Sequence, residues 1–417
     1  MTAGNQRRKA VSLAHDARRV EVRIVDPEEF STFTVNHYAF GATPSEPNTD
    51  ERHKWLRYAA KTTPVAAFVA GKPVATATFP AMTQNVRGVV LPMTGVGGVA
   101  SLPEGRRQGY VRQVMAFGFG LMRECGVPVT TLYPFRESFY ERLGYAGFPT
   151  PRYATMKPGD LAPLMRMPVP ADVEQLPMAE GFDEWRLFLE RLQTSVHGFS
   201  LRDLSSSVRL RDDNAAWIAL VQEGNIVTGA MTFRITGYTG ELRADTFYTT
   251  TSAARYGLLG WIGRHVDQVK TAHIKLAPQV FPELWFRDLA AQSSTVDDDA
   301  WPAPMARVIS VAGLSGIGAG DASIALTLTD ELCPWNDGVW MLSGEGGRLT
   351  VSPGGDSQCA LTVQGLSALM FCGHDPADFI YRGWGDPDPE AQAALRTLFP
   401  AAFPVLHEQF YVYPSTR

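Results

Sequence analysis

The stretch from Val96 to Tyr110, VGGVASLPEGRRQGY, constrains this chain more than any other. An apolar strand, Val96 to Ser101, runs into a loop holding two arginines and a glycine, and then into a helix expected over Tyr110 to Cys125. Pro103 ends the strand because it has no N–H to give to a ladder. The amides from Arg106 to Val111 can then turn inward at a helix start, where unpaired N–H groups and the helix dipole attract phosphate oxygens. Gly109 permits close backbone approach, Arg106 and Arg107 add charge-assisted hydrogen bonds, and Gln108 and Tyr110 lie between and beside them. The layout suits a pyrophosphate. Taken alone, the same residues also describe a strand, a basic surface turn and an ordinary amphipathic helix.

The residues beyond this helix shift that balance. Val129 to Pro134 reads as a short buried strand, and Arg136 to Tyr145 as a short helix closed by Gly144. On PEGRRQG at Pro103 to Gly109, LYP at Leu132 to Pro134 and FYERLGY at Phe139 to Tyr145, the sequence resembles the GCN5-related N-acetyltransferases (GNAT). More narrowly it resembles the Eis family of aminoglycoside and lysine-amine acetyltransferases, and the likeness extends toward the C-terminus. The resemblance implies that the arginine-rich loop cradles the CoA pyrophosphate of acetyl-CoA, the acyl donor, and that Tyr140 is the general acid for the departing thiolate. It also implies a second, degenerate GNAT domain, a C-terminal sterol-carrier-protein-like domain, and a homo-oligomer, trimer or hexamer, whose neighbouring subunits close the cleft.

In that family the base is the carboxylate of the last residue, here Arg417. The family commonly ends in an aromatic residue after a short acidic stretch. Leu406 to Phe410 partly matches that pattern, yet this chain continues through Tyr411 to Arg417. Such a tail reaches roughly 23 Å when extended. His407 and Glu408 are substitute bases, each with an ordinary surface role as the alternative.

The fold class expected is α/β (α+β): two GNAT-type mixed β-sheet domains in tandem, then a sterol-carrier-protein-like α+β domain. A chain of 417 residues has room for three domains. The divisions expected are a basic arm over 1–19, a GNAT domain binding acyl-CoA over 20–150, a degenerate GNAT-like domain over 151–300 and the sterol-carrier-like domain over 301–417. A net charge of -5 argues against a nucleic-acid binder. Cys125, Cys333, Cys359 and Cys372 form no CxxC pair, so neither a disulfide framework nor a metal site is expected. No apolar run is long enough for a membrane span, and no secretion signal opens the chain, so a reducing cytoplasm is the expected compartment.

In the first domain, alternation marks Val20 to Val25 as a strand, and a helix is expected from Pro27 toward Phe40. Gly41 to Asp50 reads as a loop, and Val65 to Val69 and Val74 to Phe79 as a hairpin. Prolines from Pro149 to Pro170 mark a boundary. Beyond it come a helix over Asp183 to Gln193, strands over Ala215 to Gln222, Ile226 to Ile235 and Glu241 to Tyr248, and a helix over Ser252 to Lys270. No counterpart of the arginine loop precedes that last helix, so this half is expected to have lost CoA binding and to wall the substrate cleft. The third unit is expected to open with a strand at Arg307 to Val311. Strands over Ala322 to Leu328, Gly338 to Leu342, Arg348 to Ser352 and Cys359 to Val363 come next, with a helix over Leu366 to Cys372.

Amide formation from a thioester needs a neutral amine, an oxyanion stabiliser and a proton donor. A tyrosine near its reference pKa of about 10 is matched to a thiol of about 8.5. The backbone amides of Val99, Ala100 and Ser101 are oxyanion candidates, with plain sheet pairing as the alternative. For a cationic acceptor, carboxylates and aromatic walls are needed; Asp26, Phe40 and Trp55, with Glu28 and Glu29, are candidates that spacing alone does not select. The function expected is acetyl transfer to a primary amine of an aminoglycoside, a polyamine or a lysine by direct attack in a ternary complex. A biosynthetic acyltransferase with another acyl-CoA or amine, or a non-catalytic CoA- or lipid-binding sensor, are the alternatives.

Overall fold

The computed structural model describes residues 20–41, 49–59, 61–287, 289–295 and 303–407. The basic arm, Glu408 and Arg417 lie outside the described residues. In chain order, β1 (Val20–Ile24) leads through the Asp26 cap into α1 (Pro27–Phe30) and α2 (Thr34–Phe40), and α3 (Thr49–Tyr58) precedes β2 (Thr62–Val69) and β3 (Lys72–Val86). Next come β4 (Val89–Ser101), α4 (Tyr110–Glu124), β5 (Val129–Leu132), α5 (Glu137–Glu141) and β6 (Ala146–Gly147). The middle of the chain gives β7 (Arg152–Met156), β8 (Asp172–Pro177), α6 (Met178–Gln193), β9 (Ser200–Arg202), α7 (Leu204–Asp213) and β10 (Trp217–Glu223). It continues with β11 (Ile226–Ile235), β12 (Gly240–Thr249), α8 (Ser252–Gly263), β13 (Val269–Leu276) and β14 (Gln292–Thr295). The last elements are β15 (Met305–Val308), β16 (Ser323–Thr329), β17 (Gly338–Glu345), β18 (Arg348–Pro353), β19 (Cys359–Thr362), α9 (Val363–Phe371), α10 (Phe379–Arg382) and α11 (Pro389–Leu398).

These strands form three mixed sheets. The first runs β1-β2-β3-β4-β5-β15-β6, with β9 also pairing β3; the second runs β14-β7-β13-β12-β11-β10-β8; the third runs β18-β17-β16-β19. One face of the first sheet is covered by α4, whose Val114, Met115, Phe119 and Met122 are buried at helical spacing against Ala75, Ala77, Phe79 and Val96. On the opposite face, α9 from the C-terminal part shares one continuous core with Met82, Met93, Val129, Ala306 and Val308. The first and third sheets are therefore packed together through apolar surface, whose removal from water is the main force that drives folding.

Several expectations shift. The helix expected over Pro27 to Phe40 is broken at Ser31 to Phe33. Phe33 is extended (φ -71°, ψ 124°) and buries its ring between Phe30 and Phe68, at 5.7 and 5.9 Å between centroids. The expected loop gives way to α3 at Thr49, a polar helix anchored by Trp55, which is 5% exposed and stacks on Phe30. The hairpin strands are longer than periodicity indicated, because β3 continues to Val86 and reverses into β4 through Arg87 and Gly88, both at positive φ (48° and 85°), as a two-residue hairpin turn demands. The helix expected to reach Lys270 stops at Gly263; Val269–Leu276 instead forms β13, paired parallel to β12, and Val266 is 49% exposed. The strand expected to open the third unit is β15, which inserts into the first sheet between β5 and β6.

Candidate active site

The geometry of the site begins where β4 parts from β5. The two strands pair in parallel from Met93↔Val129 to Val96↔Leu132, after which β5 ends while β4 continues to Ser101. Residues 97–101 therefore have no strand partner on the β5 side. On the β3 side the register slips between Thr76↔Ala100 and Thr78↔Gly97, a bulge in which Gly98 takes φ +59°. Val99, Ala100 and Ser101 lie on this half-partnered segment. An edge of peptide groups opened inside a sheet is a slot in which an extended amide-bearing arm can lie, since each unpaired N–H or C=O needs a partner.

At the far end of the slot, a short 3-10 turn over Pro103–Gly105 leads to Arg106 and Arg107, both exposed, as are Gln108 and Gly109. Gly109 N-caps α4 in the left-handed region (φ +79°, ψ 4°), and no side chain caps the helix. The amides of Tyr110 and Val111 thus open α4 without a side-chain acceptor, flanked by two guanidinium groups. Arg107 also holds positive φ (61°), a conformation that a non-glycine residue adopts at a cost. A helix dipole and amides without a side-chain acceptor, next in the chain to two exposed arginines, are the features an anion-binding cradle needs.

Tyr140 lies in α5, which comes directly after the turn that ends β5. It is 3% exposed, enclosed by the rings of Phe135, Phe139 and Tyr145 at 5.7, 5.0 and 6.1 Å between centroids. Burial pushes the phenol well above its ordinary range. It therefore stays protonated through neutral pH, and the near match with a solvated thiol is lost; a thiolate formed in the same desolvated place becomes a stronger proton acceptor too.

Asp26, Glu28 and Glu29 sit together at the start of α1, and Trp55 stacks on Phe30 of the same helix. Asp26 is spent as the cap of α1, accepting from the Glu28 amide at 2.8 Å; Glu29 pairs with Arg23 at 2.9 Å; Trp55 is core; and Phe40, 51% exposed, ends α2. None of them lines the cavity of about 350 Å³ that opens beside Tyr133, just past the end of β5. That cavity is walled by Phe148, Tyr153, Phe199, Tyr248 and Trp285, with Asp245 on its rim and Pro404 to Leu406 closing one side. These aromatics come from many separate elements, so no local motif announces them.

His407 comes next after that closing segment. Its ring stacks on Phe199 (5.0 Å, 2° between planes) and its Nδ1 lies 3.0 Å from the Tyr248 hydroxyl. Burial, with the cations Arg186 and Lys275, pushes it down to about 3. A ring held neutral that firmly is a weak base, and its contacts anchor the end of the Pro404 to His407 segment. Cys125 is exposed at the end of α4. Among the described residues no His, Cys, Asp and Glu cluster could hold a metal ion, and no helix is long and apolar enough to cross a membrane.

Known proteins resemble this chain. Residues 21–147 match the family model of an acetyltransferase (GNAT) domain, and residues 312–407 match that of a sterol carrier protein domain. No curated protein matches the chain. Among solved structures, a conserved protein from Enterococcus faecalis V583, described as a probable N-acyltransferase, is 21% identical with a TM-score of 0.80, covering 94% of this chain and 100% of its own. A GCN5-related N-acetyltransferase from Anabaena variabilis ATCC 29413 is 16% identical with a TM-score of 0.79 over 94% and 100%. Eis1 from Mycobacterium abscessus is 17% identical with a TM-score of 0.73 over the same shares. The chain is thus a GNAT-type, acyl-CoA-dependent acetyltransferase that carries a C-terminal sterol carrier protein domain and shares its fold with Eis1.

Proposed function

We propose that the protein transfers an acetyl group from acetyl-CoA to a primary amine, of an aminoglycoside, a polyamine or a lysine side chain, by direct attack in a ternary complex. The observation that carries the reading is the parting of β4 from β5 past Val96 and Leu132, with the arginine cradle at one end and Tyr140 near the other. The pyrophosphate would meet the α4 amides, Arg106 and Arg107. The pantetheine arm would lie along residues 97–101, and the thioester would come to rest near Tyr140. The neutral amine attacks the acetyl carbonyl carbon, a C–N bond forms, and charge collects on the carbonyl oxygen, where a backbone N–H from Val99 to Ser101 can stabilise it. The C–S bond then breaks, the phenol of Tyr140 gives its proton to the thiolate, and the ammonium proton leaves to a base or to water.

The 350 Å³ aromatic cavity beside Tyr133 is the acceptor site in this reading. The carboxylate of Arg417 is the proposed base. The test is thiol release from acetyl-CoA against aminoglycosides, polyamines and lysine peptides, with the intact chain and Tyr140→Phe. Acceptor-dependent release that falls by about 10²- to 10⁴-fold in the variant supports the reading. CoA binding without release, with any acceptor and any acyl donor, overturns it in favour of a sensor. Extension of the chain past Arg417 tests the terminal base separately.

A further inference from the structure

The residue after Tyr140 is held from the far end of the chain. Trp384 Nε1 donates to the Glu141 carboxylate at 2.9 Å, Gln364 Nε2 donates to the Glu141 backbone carbonyl at 2.8 Å, and Arg382 Nη2 lies 3.9 Å from the same carboxylate. Two residues on, the Leu143 carbonyl accepts from Arg307 Nη1, whose own Nη2 is fixed by both oxygens of Asp330 at 2.6 and 2.8 Å. Gln364 and Arg382 belong to α9 and α10, Trp384 comes just after α10, and Asp330 just after β16. All four belong to the C-terminal sheet and its helices.

α5 is a short helix, Glu137–Glu141. A helix of about one turn has no stability of its own, because the cost of nucleation is not repaid over so few residues. Its position is therefore decided by what grips it. On one side the grip is the ring cluster of Phe135, Phe139 and Tyr145, which is apolar and non-directional. The directional contacts, the ones that fix rotation and height, are those to Glu141 and Leu143. A proton donor must meet the sulfur within hydrogen-bond reach, and a shift of about 1 Å at a reacting group lowers rate by roughly 100-fold.

We propose that Glu141, with Gln364, Arg382 and Trp384, forms a positioning clamp through which the C-terminal sheet and helices set the Tyr140 hydroxyl against the leaving sulfur. The clamp rests on the reading of Tyr140 as the acid. The C-terminal part then serves the transfer step directly, from behind the acid, whatever its distal end does.

The experiment is a double-mutant cycle on the full chain, with kcat and KM for acetyl-CoA read for Glu141→Ala and Trp384→Phe, each in the Tyr140 and the Tyr140→Phe background. The expected result is a fall in kcat of about 10- to 100-fold with KM within about twofold, and disappearance of that fall once Tyr140 is Phe. Glu141→Gln should restore most of kcat, because its amide oxygen still accepts from Trp384. Equal losses in both backgrounds, a loss confined to KM, or full kcat in Glu141→Ala would overturn the proposal. Trp384→Phe keeps an aromatic ring against Phe379 while removing the N–H donor and part of the ring volume, so it carries the test if Glu141→Ala does not fold. A Tyr140→Phe protein of unchanged kcat sinks the acid reading itself. A fall without coupling sinks only the clamp.

Discussion

The ion pair between Arg307 and Asp330 offers the sharpest stability prediction. Both side chains are 1% exposed. The Asp330 carboxylate accepts from Arg307 at 2.6 and 2.8 Å, from the Leu332 amide at 3.3 Å, the Cys333 amide at 3.1 Å and Asn336 Nδ2 at 2.9 Å. Asp330→Ala removes the counter-charge and leaves a guanidinium buried above the Phe119 ring, 4.4 Å from its centroid. Removing one partner of a buried pair costs about 3–5 kcal/mol, because the stranded charge keeps its desolvation penalty. The Cys333 amide keeps the Asp330 backbone carbonyl at 3.2 Å, and the Leu332 amide, left without the carboxylate, borders with Arg307 a crevice of about 350 Å³ that can admit water, so the total stays near that range. Replacing both partners, as in Arg307→Met with Asp330→Leu, strands no charge and should be far milder. The assay is urea unfolding followed by tryptophan fluorescence and far-UV circular dichroism, taken as a free energy only where the two transitions coincide. A loss below about 1 kcal/mol in Asp330→Ala, or a double variant as damaged as the single, refutes the reasoning.

The cradle, the turn at Gly144, a buried histidine and the phenol carry four more expected outcomes. Arg106→Ala and Arg107→Ala should each raise KM for acetyl-CoA by about 10- to 100-fold, the weight of a charge-assisted hydrogen bond, and the effect should shrink as salt rises; unchanged KM in both would remove the cradle. Gly144→Ala should lower the thermal midpoint of the chain, because Gly144 sits at φ +94° with Arg307 where a Cβ would go; a normal melting curve would contradict this. Burial, with Arg87 nearby, pushes His197 down to about 4, so the folded state refuses a proton that the unfolded chain takes below pH 6.5. Stability should therefore decline as pH falls from about 6.5 toward 4, by about 2 kcal/mol at pH 5 from this one ring, and His197→Gln should flatten that slope in urea titrations. Because burial raises the Tyr140 phenol, kcat should show no alkaline decline from loss of that proton up to pH 10; a decline near 9 that is absent in Tyr140→Phe would show the phenol titrating in its ordinary range and refute the effect of burial.

Local features were legible in the chain before any packing was known. The strand, the proline stop, the need for a glycine at 109 and the start of α4 at Tyr110 come from chain geometry and from dihedrals only certain residues accept. The strands of the third sheet emerged within three residues of their expected bounds, for the same reason. Where periodicity erred, a tertiary partner had overridden it: β13 is a strand because β12 offers it a parallel edge, and β15 lies in the first sheet because Ala306 and Val308 bury against α9. The site divided along the same line. The proposed donor cradle is a loop and a helix start, confined to residues 106–111. The acceptor cavity, the anchor at His407 and the grip on Glu141 join residues far apart in the chain, with 223 positions between Gln364 and Glu141 and 243 between Trp384 and Glu141. Contacts of that span leave no spacing rule in a single sequence. They come into being when packing brings the sheets together, and no shorter-range property of the chain encodes them.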